Sequence, residues 1–297
     1  MKRIVSLALT VLLACSLAPF AEAAQNKTKK TPPPSDDSSD SSVPEAFPAD
    51  ADPTVIPHVT AGSVIVIDAN NGQVLHEVNA DAPRPVASTQ KLLTALIVAD
   101  EGNLEQNLRV EKTDTLAEPS KLYFKAGEVY PRRDLLQILL IHSMNDVARA
   151  LARDNAGSIE AFATKMNVKA AQIGMHNSHF VNPNGLPVPG QYSTARDMAR
   201  LAMYAYRNQF IRSVVCQKRM AWRYNDGRVR EFDTTNRVLK NYPLCNGMKT
   251  GYTEAAGHCL VSSASHNGHA VIVVALGDNK NIWIDSYRLL AWGLAKE

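Results

Sequence analysis

The chain has little of what builds metal, redox or nucleic-acid sites. It carries four cysteines, at positions 15, 216, 245 and 259, and no two form a C-x-x-C pair. A zinc or dithiol redox centre therefore has no support. Its eight histidines show no ligand spacing, and His142 and His258 read as local structure; no metal and no cofactor is called for. The formal charge of +3 is close to balanced. No basic run with interleaved aromatics occurs in the folded part, which excludes nucleic acid as a partner. Long apolar runs are also missing. The stretch at residues 4–14 falls short of the ~20 apolar residues that a spanning helix needs.

Two N-terminal segments stand apart from the rest. Met1-Lys2-Arg3, the short apolar run and Ala21-Glu22-Ala23 form a secretory signal pattern, residues 1–23. Two alternatives stand beside cleavage: an uncleaved anchor, and a lipid tether at Cys15, since Leu12-Leu13-Ala14-Cys15 loosely matches a lipoprotein box. Residues 24–57 are Lys-rich, then Pro32-Pro33-Pro34, then Ser/Asp repeats. They hold too little apolar surface to offset ordering entropy, so they read as a disordered Pro/Ser/Asp linker. Residues 58–297 then form one domain or two intimate subdomains. For Cys216, Cys245 and Cys259 two readings remain: one disulfide with one free thiol, or three buried apolar fillers.

β-Branched residues 64–67, the turn formers 68–72 and Val74, Leu75 and Val78 predict a hairpin. Residues 258–264, the turn Asn267-Gly268 and residues 270–276 predict a second pair of strands. An amphipathic helix over 283–294 closes the chain. Between the two β regions, residues 89–99, 134–155, 159–173 and 195–206 carry helical periods. Strands at both ends with helices between them predict an α+β fold. One antiparallel sheet joins the N- and C-terminal strands, flanked by helices, with a helical subdomain inserted.

Three short motifs occur in order: Ser88-Thr89-Gln90-Lys91, Ser143-Met144-Asn145 and Lys249-Thr250-Gly251. Three residues apart on a helix, Lys91 reaches the Ser88 hydroxyl. Serine is a poor nucleophile until a base takes its proton, and lysine serves once burial or neighbouring charge leaves it partly neutral. A helix start near Ser88 offers free N–H groups to a developing oxyanion. Ser143 is placed to relay a proton to a leaving amine, and Asn145 to orient Lys91 or a substrate amide. On a C-terminal strand, Thr250 bonds a terminal carboxylate, Lys249 adds positive charge and Gly251 leaves room for substrate backbone. Taken singly, each motif also fits ordinary structure: a serine helix cap, a solvated lysine, polar helix-start residues, a strand end. Together they are the trio known from class A β-lactamases and penicillin-binding proteins.

Over nearly all of residues 60–297 the chain resembles the low-molecular-mass penicillin-binding proteins, the serine-type D-Ala-D-Ala carboxypeptidases of peptidase family S11. Besides the trio, the likeness rests on residues 86–96, on Asn182-Pro183-Asn184-Gly185-Leu186-Pro187 with Ser193-Thr194-Ala195-Arg196-Asp197, and on Lys249-Thr250-Gly251-Tyr252-Thr253 with residues 256–261. It implies a β-lactamase/transpeptidase-like fold and a serine D,D-carboxypeptidase that removes the terminal D-Ala from peptidoglycan stem pentapeptides. In that reading Ser88 is acylated and water hydrolyses the acyl-enzyme. The resemblance further implies an oxyanion hole from the N–H groups of Ser88 and Tyr252, and Arg237 near the substrate carboxylate. β-Lactam antibiotics become covalent inhibitors, and the periplasm or cell envelope, with a tether at the N-terminus, the location.

The chain departs from the family pattern in places. Met144 stands where Gly is common and is expected to narrow the cleft. Lys280, Asn281 and Ile282 stand where many members carry an arginine. The C-terminal β-rich domain and amphipathic helix of many members are expected to be absent. Three other functions compete. A class A β-lactamase needs a glutamate to activate water, and residues 182–190 contain neither Glu nor Asp. A D,D-endopeptidase on cross-linked peptidoglycan shares the whole active site. A non-catalytic wall-binding module is disfavoured by the intact trio.

Overall fold

A computed structural model of the chain describes residues 55–296. The signal pattern, Cys15 and nearly all of the linker lie outside the described residues. β1 (Ser63–Asp68) and β2 (Val74–Val78) form the expected antiparallel hairpin. β7 (Cys245–Thr253), β8 (Gly257–His266) and β9 (His269–Asp278) complete a five-stranded sheet in the order β2-β1-β9-β8-β7. The first and last parts of the domain meet where β1 pairs antiparallel with β9, with Ile65 opposite Val274. The fold is α+β, with strands from both ends of the domain in one antiparallel sheet, as expected.

β1 and β9 are apolar at nearly every position because the sheet is covered on both faces. Val64, Val66, Val271 and Val273 point to one side and pack with Leu289, Leu290 and Trp292 of α8 (Ile282–Leu294). Ile65, Ile67, Ile272 and Val274 point to the other and join the larger helical core. That core is built by α1 (Lys91–Glu101), α2 (Arg132–His142), α3 (Asn145–Ala156), α4 (Ile159–Gln172), α5 (Ala195–Arg207) and α6 (Gln209–Val215). Two ribbons, β3 (Asn107–Arg109) with β4 (Val129–Pro131) and β5 (Arg219–Arg223) with β6 (Val229–Asp233), flank the helices. The short α7 (Arg237–Asn241) leads into β7.

Two expectations change. Residues 134–155 read as one helical period, but the chain forms two helices broken at Ser143, whose φ of 69° is left-handed. Both helices bury their apolar residues in one core, so the period runs on through the break. The cysteines form no disulfide: Cys245 and Cys259 are buried and Cys216 is exposed, all three free. Burial pushes the Cys245 and Cys259 thiols up to about 12, so these two behave as apolar fillers. Among the described residues no helix is long and apolar enough to cross a membrane.

α8 lies so close to the sheet that a Cβ on Gly293 would sit 3.1 Å from Val66 Cγ1 and 3.3 Å from Val271 Cγ1. Alanine there gains about 1 kcal/mol of helix propensity, which offsets the tight contact. Valine overfills the interface. Urea denaturation of Gly293→Val should show a loss of about 2 kcal/mol, with Gly293→Ala near wild type; equal stability of the two variants would refute this close packing.

Candidate active site

Ser88 sits in a one-turn 3-10 helix, Ala87–Gln90, that runs directly into α1. The turn is forced. Ala87 has a φ of 47°, unusual for a residue with a side chain. Thr89 Oγ1 donates back to Val86 O at 2.5 Å, and buried Gln90 donates from Nε2 to Asn182 O at 2.5 Å. One turn on, Thr94 Oγ1 donates to Pro183 O at 2.7 Å. The Asn182–Leu186 loop is thus the seat of the Ser88 turn. Ser88 Oγ itself lies 3.4 Å from Asn184 O. Asn182 braces the loop from within, accepting the Gly185 N–H at 2.8 Å and donating to Leu186 O at 2.9 Å.

Lys91 is wholly buried. Its Nζ donates to Ser88 Oγ at 2.7 Å, to Asn145 Oδ1 at 2.7 Å and to Ser143 Oγ at 3.3 Å. Two of the three motifs therefore meet on one lysine nitrogen. The left-handed Ser143 ends α2 and turns its hydroxyl inward, and Asn145 opens α3. Asn145 is locked in orientation: its N–H donates to Ser120 O at 2.8 Å and its Nδ2 to Pro119 O at 2.8 Å. The carboxamide oxygen is left for Lys91. Asp146 holds the same 119–123 segment from below, accepting the N–H groups of Leu122 at 3.0 Å and Tyr123 at 3.1 Å.

The third motif arrives on β7. Thr250 Oγ1 is 2.6 Å from Thr235 Oγ1, and the Thr235 N–H donates to Ile141 O at 3.2 Å, tying β7 to the end of α2. Buried Lys249 donates from Nζ to Thr250 O at 3.0 Å. Gly251 needs a correction. A Cβ there would lie 2.7 Å from Ser88 N and 2.9 Å from Thr89 N. The space it leaves is filled by the Ser88 turn itself, not kept for substrate backbone. Next along the strand, Tyr252 is part-exposed, its ring centroid 4.5 Å from that of His258. Thr235, Thr250, Gly251, Tyr252, His258 and Trp283 line a small hollow. Arg237 stands at its edge, with its guanidinium 5.6 Å from the centre of the Trp283 ring.

Met144 is also corrected: it is 2% exposed and packed in the helical core, so it does not narrow the cleft. On the other side of Ser88, Pro85, Val86, Gly185, Pro187, Val188 and Thr253 line a mainly apolar hollow of ≈ 270 Å³. Sequence reasoning found the trio but missed its supports: the Pro119–Tyr123 segment, Asp146, Thr235 and Trp283. Asp146 had a signal, being a carboxylate beside a motif in an apolar helix. The others had none.

Chemically, the arrangement joins a hydroxyl, a buried amine, a second hydroxyl and a fixed amide, beside a strand edge. A family model described as D-alanyl-D-alanine carboxypeptidase, peptidase S11, matches residues 50–280. The chain belongs to this family. Among curated relatives, the D-alanyl-D-alanine carboxypeptidase DacF of Bacillus subtilis is 33% identical over 73% of this chain, which spans only 57% of that relative's length. The D-alanyl-D-alanine endopeptidase of Escherichia coli is 33% identical over 80% of the chain and 78% of the relative. Among solved structures, the D-alanyl-D-alanine carboxypeptidase of Mycobacterium tuberculosis matches with a TM-score of 0.78 at 32% identity, covering 82% of this chain and 94% of that one. The Streptomyces K15 DD-transpeptidase matches with a TM-score of 0.75 at 28% identity, covering 81% and 99%.

In this S11 chain Asp146 gives the site a pH signature. Burial pushes its carboxyl up from the ordinary 3.8 to about 6, against the pull of the Leu122, Tyr123 and Val147 N–H groups and nearby Lys121. The fold thus holds this proton more tightly than the unfolded chain does. The stability it contributes is complete below pH ~4 and is lost as pH rises through about 6. Relative to Asp146→Asn, the wild type should lose on the order of 2–3 kcal/mol between those limits in urea titrations. A difference that stays flat with pH would contradict this account.

Proposed function

We propose that the chain is a serine D,D-carboxypeptidase that removes the terminal D-Ala from peptidoglycan stem pentapeptides through an acyl-enzyme on Ser88. The observation that carries this reading is the buried Lys91 Nζ, within hydrogen-bond reach of Ser88 Oγ, Ser143 Oγ and Asn145 Oδ1 at once. Neutral Lys91 takes the Ser88 proton as Oγ attacks the carbonyl between the last two D-alanines. The oxygen of the tetrahedral intermediate is held by the N–H groups of Ser88 and Tyr252. As the C–N bond breaks, Ser143 gives its proton to the leaving amine and takes back from Lys91 the one drawn from Ser88, so D-Ala departs and Lys91 is neutral again. Asn145 keeps Lys91 in place. Lys249, Thr250 and Arg237 receive the terminal carboxylate, a group that a cation and a hydroxyl bind well. Water then hydrolyses the ester on Ser88 with Lys91 as base.

Location belongs to the same proposal. Residues 1–23 export the chain to the periplasm or envelope, with a tether, where there is one, at the N-terminus. β-Lactams enter as mimics of the D-Ala-D-Ala terminus. The loop that seats Ser88 carries no acidic residue over 182–190, which separates this chain from class A β-lactamases and predicts slow release of bound drug.

Intact mass after fluorescent penicillin should show one stable adduct per chain on the wild type and none on Ser88→Ala. Lys91→Ala should slow acylation by roughly 10²–10⁴-fold, the usual range for losing a general base. A folded wild type that takes no label would leave the wall-binding alternative standing, and β-lactam hydrolysis at many turnovers per second would restore the β-lactamase reading.

A further inference from the structure

Arg237 has its backbone and its side chain placed by different parts of the fold. The backbone is set by α7. Asn236 caps that turn, accepting the Leu239 N–H at 3.1 Å and donating from Nδ2 to Gly247 O at 3.1 Å. Val238 and Leu239 anchor the same turn in the core that α8 shares with the sheet. The Arg237 side chain beyond is half-buried. A long cation that is left mobile gives up conformational freedom each time it binds an anion.

The side chain meets a ring from α8. Trp283 is the second residue of that helix, and the Arg237 guanidinium lies 5.6 Å from its ring centre. That is inside the ~6 Å over which an aromatic face attracts a cation. The ring itself stands on a fixed element. Asp278 Oδ1 accepts the Lys280 N–H at 2.7 Å and the Asn281 N–H at 3.0 Å, and the Asp285 N–H donates to Asn281 O at 2.9 Å. Trp283 also packs against the α8 core, and its ring centre lies 6.5 Å from that of His258. Stacking orients a planar guanidinium without itself using an N–H donor.

The stack borders the Ser88 site. Ile282 and Trp283 line one hollow with Thr235, Thr250, Gly251 and Tyr252. Gly251 abuts the Ser88 turn, since a Cβ there would lie 2.7 Å from Ser88 N. Thr250 is tied at 2.6 Å to Thr235, two residues before Arg237. The hollow therefore shares a wall with the Ser88 turn. Among the described residues no Lys, Arg, Asp or Glu lines it. The guanidinium at its edge is the planar fork that a carboxylate would meet there.

We propose that Trp283 is a positioning residue for substrate recognition: its ring holds Arg237 ready for the terminal carboxylate of the peptide, so the start of α8 sets how tightly that carboxylate is bound. The inference rests on the D,D-peptidase reading of the Ser88 site and on the role that reading gives Arg237. Trp283 makes and breaks no bond. It acts through Arg237, by removing motion that the guanidinium would otherwise lose on binding. The effect falls on binding of the intact peptide, and so on KM more than on kcat.

The test measures D-Ala release from a stem pentapeptide by the purified chain, with thermal unfolding of every variant. Wild type is compared with Trp283→Leu, Trp283→Phe, Arg237→Gln and the double variant of Trp283→Leu with Arg237→Gln. Leucine keeps apolar bulk but removes the ring, whereas phenylalanine keeps a ring face. Trp283→Leu should raise KM about tenfold, within the range for losing a cation–aromatic contact, and change kcat by less than about threefold. Trp283→Met, a second variant without a ring, carries the same expectation should leucine fail to fold. Trp283→Phe should recover most of the loss. Arg237→Gln should raise KM at least as far as Trp283→Leu does, and the double variant no further than Arg237→Gln alone. A folded Trp283→Leu or Trp283→Met variant with wild-type KM overturns the proposal. So does a double variant whose two losses add in full, or a Trp283→Phe variant as impaired as Trp283→Leu. Those outcomes leave the Ser88 reading standing. An Arg237→Gln variant with wild-type KM removes the carboxylate role of Arg237, and the proposal with it. A folded wild type that penicillin does not acylate removes the Ser88 reading as well.

Discussion

The Ser88 turn is clamped between two glycines, and the rest of the site depends on that clamp. From β7, a Cβ on Gly251 would lie 2.7 Å from Ser88 N. From the loop behind, a Cβ on Gly185 would lie 2.1 Å from Ala87 O, and Gly185 has a φ of +86° as well. Neither position admits a side chain, for reasons of space at both and of backbone conformation at the second. The turn is thus fixed by backbone on two sides, and Ala87 is held at a positive φ that it would not adopt alone. With the turn fixed, the side chains of Ser88 and Lys91 have little freedom left. A fully buried lysine is rare unless it is paired, and here the fixed turn holds the Ser88 hydroxyl 2.7 Å from the Lys91 nitrogen.

That pair is completed from a different part of the fold, at a cost in polar burial. Lys91, Ser143, Asn145 and Asp146 are all 3% exposed or less. Each buried polar group must find partners or destabilise the fold. The 119–123 segment supplies many of them: Pro119 O and Ser120 O for Asn145, and the Leu122 and Tyr123 amides for Asp146. In return Asn145 and Asp146 hold an irregular stretch with two left-handed residues, Ser120 and Tyr123. Segment and helix start stabilise each other. The two apolar cores on either side of the sheet offset what remains.

How much of this was legible in the sequence depended on whether the signal was local. The β1–β2 hairpin and the β8–β9 pair were readable because β-branched runs meet at Asn-Gly and Gly-rich turns. The end-to-end sheet followed from strands at both ends of the chain. The motif trio was readable because one turn of helix sets the Ser88–Lys91 spacing. The break at Ser143 was not: no Gly or Pro marks it, and the apolar period continues across it. Gly251 was seen, but its role was misread, since only the folded chain shows that the Ser88 turn occupies the space. The β5–β6 ribbon went unread although Asp226-Gly227 marks its turn, because four arginines at 219, 223, 228 and 230 disguise the alternation of Trp222, Tyr224 and Phe232. Arg237 was placed at the substrate carboxylate by resemblance alone, and the Trp283 ring beneath it had no sequence signal.

The same 119–123 segment ties the buried polar cluster to the outer ribbon. Its inner side fixes the amide that faces Lys91, through Pro119 O and Ser120 O. Its outer side meets the β5–β6 ribbon, where Tyr224 Oη donates to Leu122 O at 3.0 Å. The segment is therefore braced from within by Asn145 and Asp146 and from without by Tyr224, whose ring is itself packed edge-on against buried Trp222. A short irregular stretch with two left-handed residues holds one conformation only when partners on both sides over-determine it. The placement of the Asn145 carboxamide beside Lys91 thus depends on packing two elements away, in a ribbon that contributes no group to the cluster around Lys91.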